Sequence, residues 1–305
     1  MSTTLTVISH FHTLSQVVLD EITHTLLIDQ LSIESYTDKR LSPRAHDFYF
    51  DISDLNKARS TIKTFSSSTG RPYDIIIQPS ATRQNKKLFV FDMDSTLIYQ
   101  EVIELIAAYA DIEDKVAEIT TRAMNGELDF NQSLAERVAL LKGIDATNLW
   151  EELKEKIVIT KGVRELTKAL KRLGVTMAVL SGGFIPLAEY VKGELGLDYA
   201  YANTLGVDEH KRLDGTTIGT IVNGDRKAEL LLEIAGKHGI DPKDAVAVGD
   251  GANDLKMMRT GGFGIAWNAK PKVQLEAPAC LNTDSLQDVL YILGYTDEEI
   301  NQLLK

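Results

Sequence analysis

The chain is nearly without cysteine. Cys280 is the one thiol among 305 residues, so no disulfide can close within the chain and no thiolate metal site can be built. A small core residue is the role expected of it. Long apolar runs are also missing, and no stretch approaches the ~20 residues that a membrane-crossing helix needs. Met1 to Asp20 lacks a basic start, and its apolar run is broken by His10 and His12, unlike a secretory signal. Together these absences make a reducing, cytoplasmic setting and no membrane partner the expectation. Positive charge is in deficit as well: the formal net charge is -11, which argues against a nucleic-acid surface. Residues 1–85 hold eight Lys/Arg against nine Asp/Glu, so the acidity lies on the remainder. There are no internal repeats and no low-complexity tracts.

What is present centres on Leu88-Phe89-Val90-Phe91-Asp92-Met93-Asp94-Ser95-Thr96. Four apolar residues without Gly or Pro run straight into two carboxylates, the pattern of a buried parallel strand that ends in a loop. Open α/β sheets place their chemistry at that edge. Two carboxylates one residue apart repel unless a positive group sits between them, and a hard cation with oxygen ligands, Mg²⁺ where phosphate is also bound, would serve. The plainer alternative is a loop in which Asp94 or Ser95 caps a helix.

Taken in order, Thr4 to Ser9 reads as a strand, Leu14 to Leu31 as a helix, and Ser32 to Tyr36 and His46 to Ile52 as strands. Asp54 caps a helix from Leu55 to about Phe65, and Tyr73 to Gln78 is a fourth strand. This βαββαβ order predicts a ferredoxin-like, ACT-like α+β domain over residues 1–80. His10-x-His12 is either a metal pair or two half-buried histidines on a strand, and no ligand cluster accompanies it. A polar linker, 81–86, leads to a second domain, 87–305. Residues of about 98–160 are almost all helix-forming, more than a crossover needs, and predict a helical cap inserted over the strand edge. Alternation then resumes: helix 163–173, strand 175–180 ending in Ser181-Gly182-Gly183, helix 184–195, and short strands within 199–222 with a hairpin signal at Asp214-Gly215. Helix 225–238, strand 245–248 ending in Gly249-Asp250-Gly251-Ala252-Asn253-Asp254, another helix, a short strand 264–267 and two C-terminal helices complete a doubly wound parallel sheet.

Three apolar strands thus end in Asp92/Asp94, Ser181-Gly182-Gly183 and Asp250, with Lys227 in the first turn of a helix between the last two. Alone, the Ser-Gly-Gly would be a tight turn and Lys227 a solvated helix residue. The complete set resembles the haloacid dehalogenase superfamily of phosphotransferases, and with Glu101, Met124, Phe130 and Arg137 it is similar to the phosphoserine phosphatase family over residues of about 86–295. The resemblance implies a Rossmann-like sheet with a cap, and a phosphoric monoester hydrolase that acts on O-phospho-L-serine in serine biosynthesis. It implies Asp92 as the nucleophile forming an aspartyl phosphate, Asp94 as general acid and base, and Lys227, Ser181, Gly182 and Asn253 around the phosphoryl oxygens. Mg²⁺ would be held by Asp92, the Asp94 backbone carbonyl and Asp250, with Asp254 in or behind the metal shell. Glu101 would take the substrate ammonium, Arg137 its carboxylate in a bidentate grip, and Met124 and Phe130 the apolar walls. Without the family, Glu101 is one more helix residue and Arg137 a surface partner of Glu136 or Asp129. Met93 stands where the family often has Phe and should point into the core. ACT-like units often pair, so a homodimer is expected. Two alternatives remain: phosphoryl transfer from phosphoserine to homoserine on the same fold, and an amino-acid-sensing binding protein with an idle catalytic domain.

Overall fold

The computed structural model describes residues 1–67 and 70–305. Residues 1–79 build a four-stranded antiparallel sheet from β1 (Ser2–Ser9), β2 (Thr37–Arg40), β3 (Ala45–Asp51) and β4 (Tyr73–Pro79), in the order β2-β3-β1-β4. Its side chains alternate as the pleat requires. Leu5, Val7, Phe48 and Phe50 face α1 (Gln16–Asp20), the π-type helix Glu21–Gln30 that continues it, and α2 (Leu55–Ser67), while Ile8, Ala45 and Ile76 join the main core. Asp54 accepts from the Lys57 N–H at 3.0 Å, capping α2 as expected. One expectation fails here, because Ser32 to Tyr36 is not a strand. The N–H groups of Ser32 and Ile33 are spent on the carbonyls of Ile28 and Leu27, closing the helix, and Ser32 takes φ +56°; the edge strand begins only at Thr37.

A second sheet of seven strands has the order β11-β10-β9-β5-β6-β7-β8. It comprises β5 (Leu88–Phe91), β6 (Thr176–Phe184), β7 (Tyr199–Val207), β8 (Leu213–Ile218), β9 (Ala245–Gly249), β10 (Phe263–Trp267) and β11 (Ala279–Leu281), parallel except for β8. β5 is fully buried on both faces: Phe89 and Phe91 pack into one core, Leu88 and Val90 into the other. The strand order reverses between β5 and β9, so the ends of those strands flank the crevice where doubly wound sheets bind ligands.

Between β5 and α7 (Val163–Arg172) lie α3 (Val102–Tyr109), α4 (Glu113–Met124), α5 (Phe130–Ala139) and α6 (Leu149–Lys154). Their neck is a short pairing of Ile98 with Ile159, closed by Tyr99 N–H to Val158 and Thr160 N–H to Leu97. This helical insertion is tied down at its far side, where Gly143 donates to Leu213 and Ala146 to Lys211 at 2.8 Å. The rest of the chain adds α8 (Ile185–Leu195), α9 (Gly224–Lys237), α10 (Leu255–Thr260), α11 (Pro271–Glu276), α12 (Val289–Ile292) and α13 (Asp297–Leu304).

Three further details differ from the sequence reading. The β7–β8 turn is not at Asp214-Gly215, which lies inside β8. It is at 208–212, where Asp208 Oδ1 accepts from the N–H groups of His210 and Arg212 and Lys211 takes φ +60°. β6 does not stop at Leu180 but continues through Ser181-Gly182-Gly183 with a shift of register against β7. β11 was not expected; it is three residues long, and α11 and α12 on either side are of only six and four, too short for periodicity to reveal. Cys280 sits in β11, partly buried. No helix of the described residues is long and apolar enough to cross a membrane.

Candidate active site

β5 delivers its carboxylates at the C-terminal edge of the sheet. The Asp92 N–H makes a 2.8 Å bond to the Val248 carbonyl of β9. The chain then turns tightly, with Asp94 extended and Ser95 at φ +55°. A non-glycine residue in that region costs on the order of 1–3 kcal/mol, and the loop around it is well bonded. The Ser95 hydroxyl donates to Glu101 Oε1 at 2.6 Å, and the Val102 N–H that opens α3 donates to Asp94 Oδ2 at 3.0 Å. The other Asp94 oxygen, Oδ1, is buried with no partner among the described residues. Met93 between the two aspartates is fully buried in the core, as expected.

Lys227 enters from the first turn of α9, whose N-cap Asn223 accepts from the Arg226 N–H. Its Nζ donates to Asp92 Oδ1 at 2.6 Å and to Asp254 Oδ1 at 2.7 Å, and both Lys227 and Asp254 are wholly buried. Asp254 is held in turn by the Gly251 N–H on Oδ2 at 3.0 Å. A Cβ on Gly249 would lie 2.3 Å from that same oxygen, so only glycine admits the carboxylate there. Asp250 accepts from the Thr96 hydroxyl at 3.2 Å. One oxygen each from Asp92, Asp250 and Asp254 lies within 4.8 Å of the others.

The second strand end supplies the floor and meets the cap. Ser181 is buried, and its Oγ accepts from the Gly183 N–H at 2.8 Å. A Cβ on Gly182 would stand 2.8 Å from the Phe130 ring and 3.8 Å from the Asn253 amide, so these three residues converge. Arg137, half-buried on α5, bonds through Nε to the Ser133 carbonyl at 3.2 Å. It is not a surface partner of Glu136 or Asp129: Arg122 pairs with Glu136 at 2.6 Å, and Asp129 caps α5 with Gln132. Met124 ends α4 at 66 % exposure and is not among the groups brought into the buried cluster.

The electrostatics are those of crowded like charge. Burial first, and then Glu101, push Asp94 up to about 8. Burial and Asp254 push Asp250 up to about 7. Burial raises Asp92 well above the ordinary carboxylate range, with Asp254 adding to it and Lys227 opposing. For Lys227 burial pulls the pKa down, but Asp254 and Asp92 outweigh it and keep the ammonium charged. Arg137 is lowered by burial, against the pull of Glu101 and Asp94. Oxygen-only donors, an orphaned buried carboxylate oxygen and one ammonium among four aspartates fit a hard divalent cation. His10-x-His12 gathers no such set among the described residues; His10 Nε2 lies 3.2 Å from Asp74 and His12 is exposed.

Two supporting residues escaped the sequence reading. Asn203, 2 % exposed in β7, donates to the Gly182 carbonyl at 2.9 Å and accepts from the Val222 N–H at 2.8 Å, fixing the Ser-Gly-Gly backbone. An asparagine inside a strand is disfavoured, and that misfit was the available signal. Thr96 is fully buried, and its hydroxyl donates to Asp250, holding that carboxylate in place.

The chain is similar to known proteins along most of its length. The family described as haloacid dehalogenase-like hydrolase matches residues 86–262. A phosphoserine phosphatase of Saccharomyces cerevisiae is 49% identical over 300 residues, covering 97% of this chain and 97% of that protein. A solved structure of a probable phosphoserine phosphatase from Vibrio cholerae, in unliganded form, superposes with a TM-score of 0.72 at 33% identity, covering 99% of this chain and 89% of that one. A phospho-aspartyl intermediate analogue of phosphoserine phosphatase matches with a TM-score of 0.63 at 43% identity over 68% of this chain and 98% of that one.

Proposed function

The chain belongs to the haloacid dehalogenase-like hydrolase family, and from that footing we propose that it hydrolyses O-phospho-L-serine to L-serine and phosphate, the last step of serine biosynthesis. It is a phosphoric monoester hydrolase. The observation that carries the reading is the buried Asp92 carboxylate, held 2.6 Å from Lys227 beside an Asp94 whose Oδ1 has no partner among the described residues.

Asp92 attacks phosphorus, and the bond from phosphorus to the serine oxygen breaks as an aspartyl phosphate forms. Asp94, raised to about 8 by burial and by Glu101, hands its proton to the departing alkoxide. It then takes a proton from the water that attacks the acyl phosphate, returning Asp92 as a carboxylate. Lys227, Ser181, the Gly182 N–H and Asn253 hold the phosphoryl oxygens, where transition-state charge is spread. Glu101, fixed by the Ser95 hydroxyl at 2.6 Å, takes the substrate ammonium. Arg137 takes the carboxylate, and Phe130 over Gly182 excludes water, with Met124 as the outer wall. Asp92, Asp250 and the Asp94 backbone carbonyl would hold Mg²⁺, with Asp254 behind them. The ion supplies neutralisation of the repulsion between carboxylate and phosphate.

The domain organisation of this reading is an ACT-like unit over 1–80, a linker at 81–86 and a catalytic unit over 87–305 with its cap at about 98–160. The enzyme works in the cytoplasm, as a homodimer paired through the N-terminal unit.

The test is phosphate release by the purified chain with Mg²⁺ across a panel of small phosphomonoesters, with and without homoserine. Phosphoserine should be the best substrate, and Asp92→Asn should abolish both turnover and the phosphoenzyme. No release from phosphoserine, or phosphohomoserine in excess of free phosphate, would overturn the assignment.

A further inference from the structure

The face of the four-stranded sheet turned away from its helices carries a row of polar side chains, Thr4, Thr6, Asp47 and Tyr49, where the face against the helices is apolar. Residues 80–85 and the turn at Gly294 close over that polar face without filling it. A cavity of about 490 Å³ remains between them, within the ~300–1,000 Å³ typical of small-molecule sites.

Its floor is Arg83, only 4 % exposed. Nε donates to the Ile292 carbonyl, Nη1 to Asp47 Oδ2, and Nη2 is shared among Thr6, Asp47 Oδ1 and the Tyr291 carbonyl. A guanidinium has five N–H groups, and the second one on Nη1 has no acceptor among the described residues. An unpaired buried donor costs about 1–3 kcal/mol, so this position favours an acceptor. Gly294 makes room for one: at φ +92°, it has no Cβ where a Cβ would stand 2.9 Å from Nη1. Lys39 of β2 also lines the cavity, with an ammonium that has no ion-pair partner among the described residues. Glu299 feels that charge, but its carboxylate is committed to the Thr296 N–H and hydroxyl at the start of α13. Gln84 and Asn85 add exposed amides, and among the described residues no acidic side chain lines the space. Asp47 offsets Arg83 and Glu299 partly offsets Lys39, so the lining offers two cationic donors with little net charge. That suits a monoanion better than a phosphate dianion.

We propose that this junction cavity is a binding site for a small carboxylate, whose oxygens accept from Lys39 Nζ and Arg83 Nη1 with the Gln84 and Asn85 amides around them. The occupant touches the sheet, the connecting segment and the Gly294 turn together. It therefore ties residues 1–79 to the C-terminal part of the catalytic fold, and binding raises the stability of the junction by mass action.

The experiment is thermal unfolding of the full chain titrated with potassium lactate, against potassium chloride at matched ionic strength. It is run in an Arg137→Ala background, so that the carboxylate grip assigned to the active site is absent. Lactate should give a saturable rise in Tm that chloride does not. Lys39→Glu and Gln84→Glu, both at exposed positions, should each weaken the apparent Kd at least tenfold. An equal rise in chloride, no rise in lactate, or a rise that survives both substitutions overturns the proposal.

Discussion

Replacing Lys227 by Met tests the electrostatic core of the site. Methionine keeps most of the side-chain volume, so little cavity is opened, and the change is chiefly the loss of one ammonium. That ammonium lies 2.6 Å from Asp92 and 2.7 Å from Asp254, with all three side chains at most 7 % exposed. Removing one partner of a buried ion pair costs about 3–5 kcal/mol, because the charges left behind have neither water nor a counter-ion. The variant has one escape, which is to protonate a carboxyl. Its Asp92, already raised in the parent, would then hold a proton in the folded chain that the unfolded chain has released above about pH 4. Since the folded state binds more protons, stability falls as pH rises through the elevated pKa. The gap between parent and variant should therefore widen from pH 5 to pH 8. Urea unfolding of the metal-free chain, followed by tryptophan fluorescence, measures it. A loss of about 3–5 kcal/mol at pH 7.5, shrinking toward pH 5, is expected. A loss under about 1 kcal/mol, or one that ignores pH, would refute the argument that Lys227 balances buried carboxylates. Turnover should be lost at every pH.

Arg137→Ala should raise the KM for phosphoserine far more than for phosphoethanolamine, which lacks the carboxylate; equal effects in steady-state kinetics would remove Arg137 from the substrate pocket. Gly182→Ala places a Cβ 2.8 Å from the Phe130 ring, so the cap should fail to seat and kcat/KM should fall at least tenfold while the melting temperature drops by only a few degrees. Asp94 at about 8 and Asp250 at about 7 are both raised, so the metal-free chain should lose stability as pH rises from about 4 to 8. Divalent cation should restore more Tm at pH 8 than at pH 5, and Asp250→Asn should flatten that slope in a calorimetric series.

The site was legible in the sequence to the extent that its pieces are local. A continuous apolar strand running into Asp92-Met93-Asp94 declares its own edge, and Gly249-Asp250 repeats the signal. The partners of Asn203 and the Arg122–Glu136 pair were not legible, because each depends on which distant segment folds alongside; for Asn203 only its misfit in a strand could be seen. The same holds for the polar stretch before β5. Its composition suggests an exposed connector, yet Arg83 is buried and bonded to Asp47, Tyr291 and Ile292, partners that lie 36 and more than 200 positions away. Turn chemistry misled where two signals competed. Asp214-Gly215 has the residues of a tight turn, but Asp214 instead binds the N–H and hydroxyl of Thr216, and Asp208 makes the reversal.

Charge explains why these motifs must occur as a set. Asp92, Asp94, Asp250 and Asp254 converge on one crevice, and among the described residues the one ammonium bonded there is that of Lys227. Above about pH 8, where Asp94 and Asp250 are ionised, a dianionic phosphate brought into that crevice meets net negative charge in a medium where repulsion is weakly screened. One lysine cannot offset it, so substrate binding on this donor set demands further positive charge. Arg137 sits on the cap side, where Glu101 already acts on it, and in the proposed function it is given to the substrate carboxylate rather than to the phosphoryl end. The remaining source is a cation held by the aspartate oxygens themselves. On this reasoning phosphate affinity and metal affinity are one coupled quantity. Phosphate should bind the metal-free chain no better than chloride does, and calorimetric titration at two divalent-cation concentrations decides it. A phosphate affinity that is strong and indifferent to the cation would mean that Lys227 suffices alone and that the carboxylate cluster has some other use.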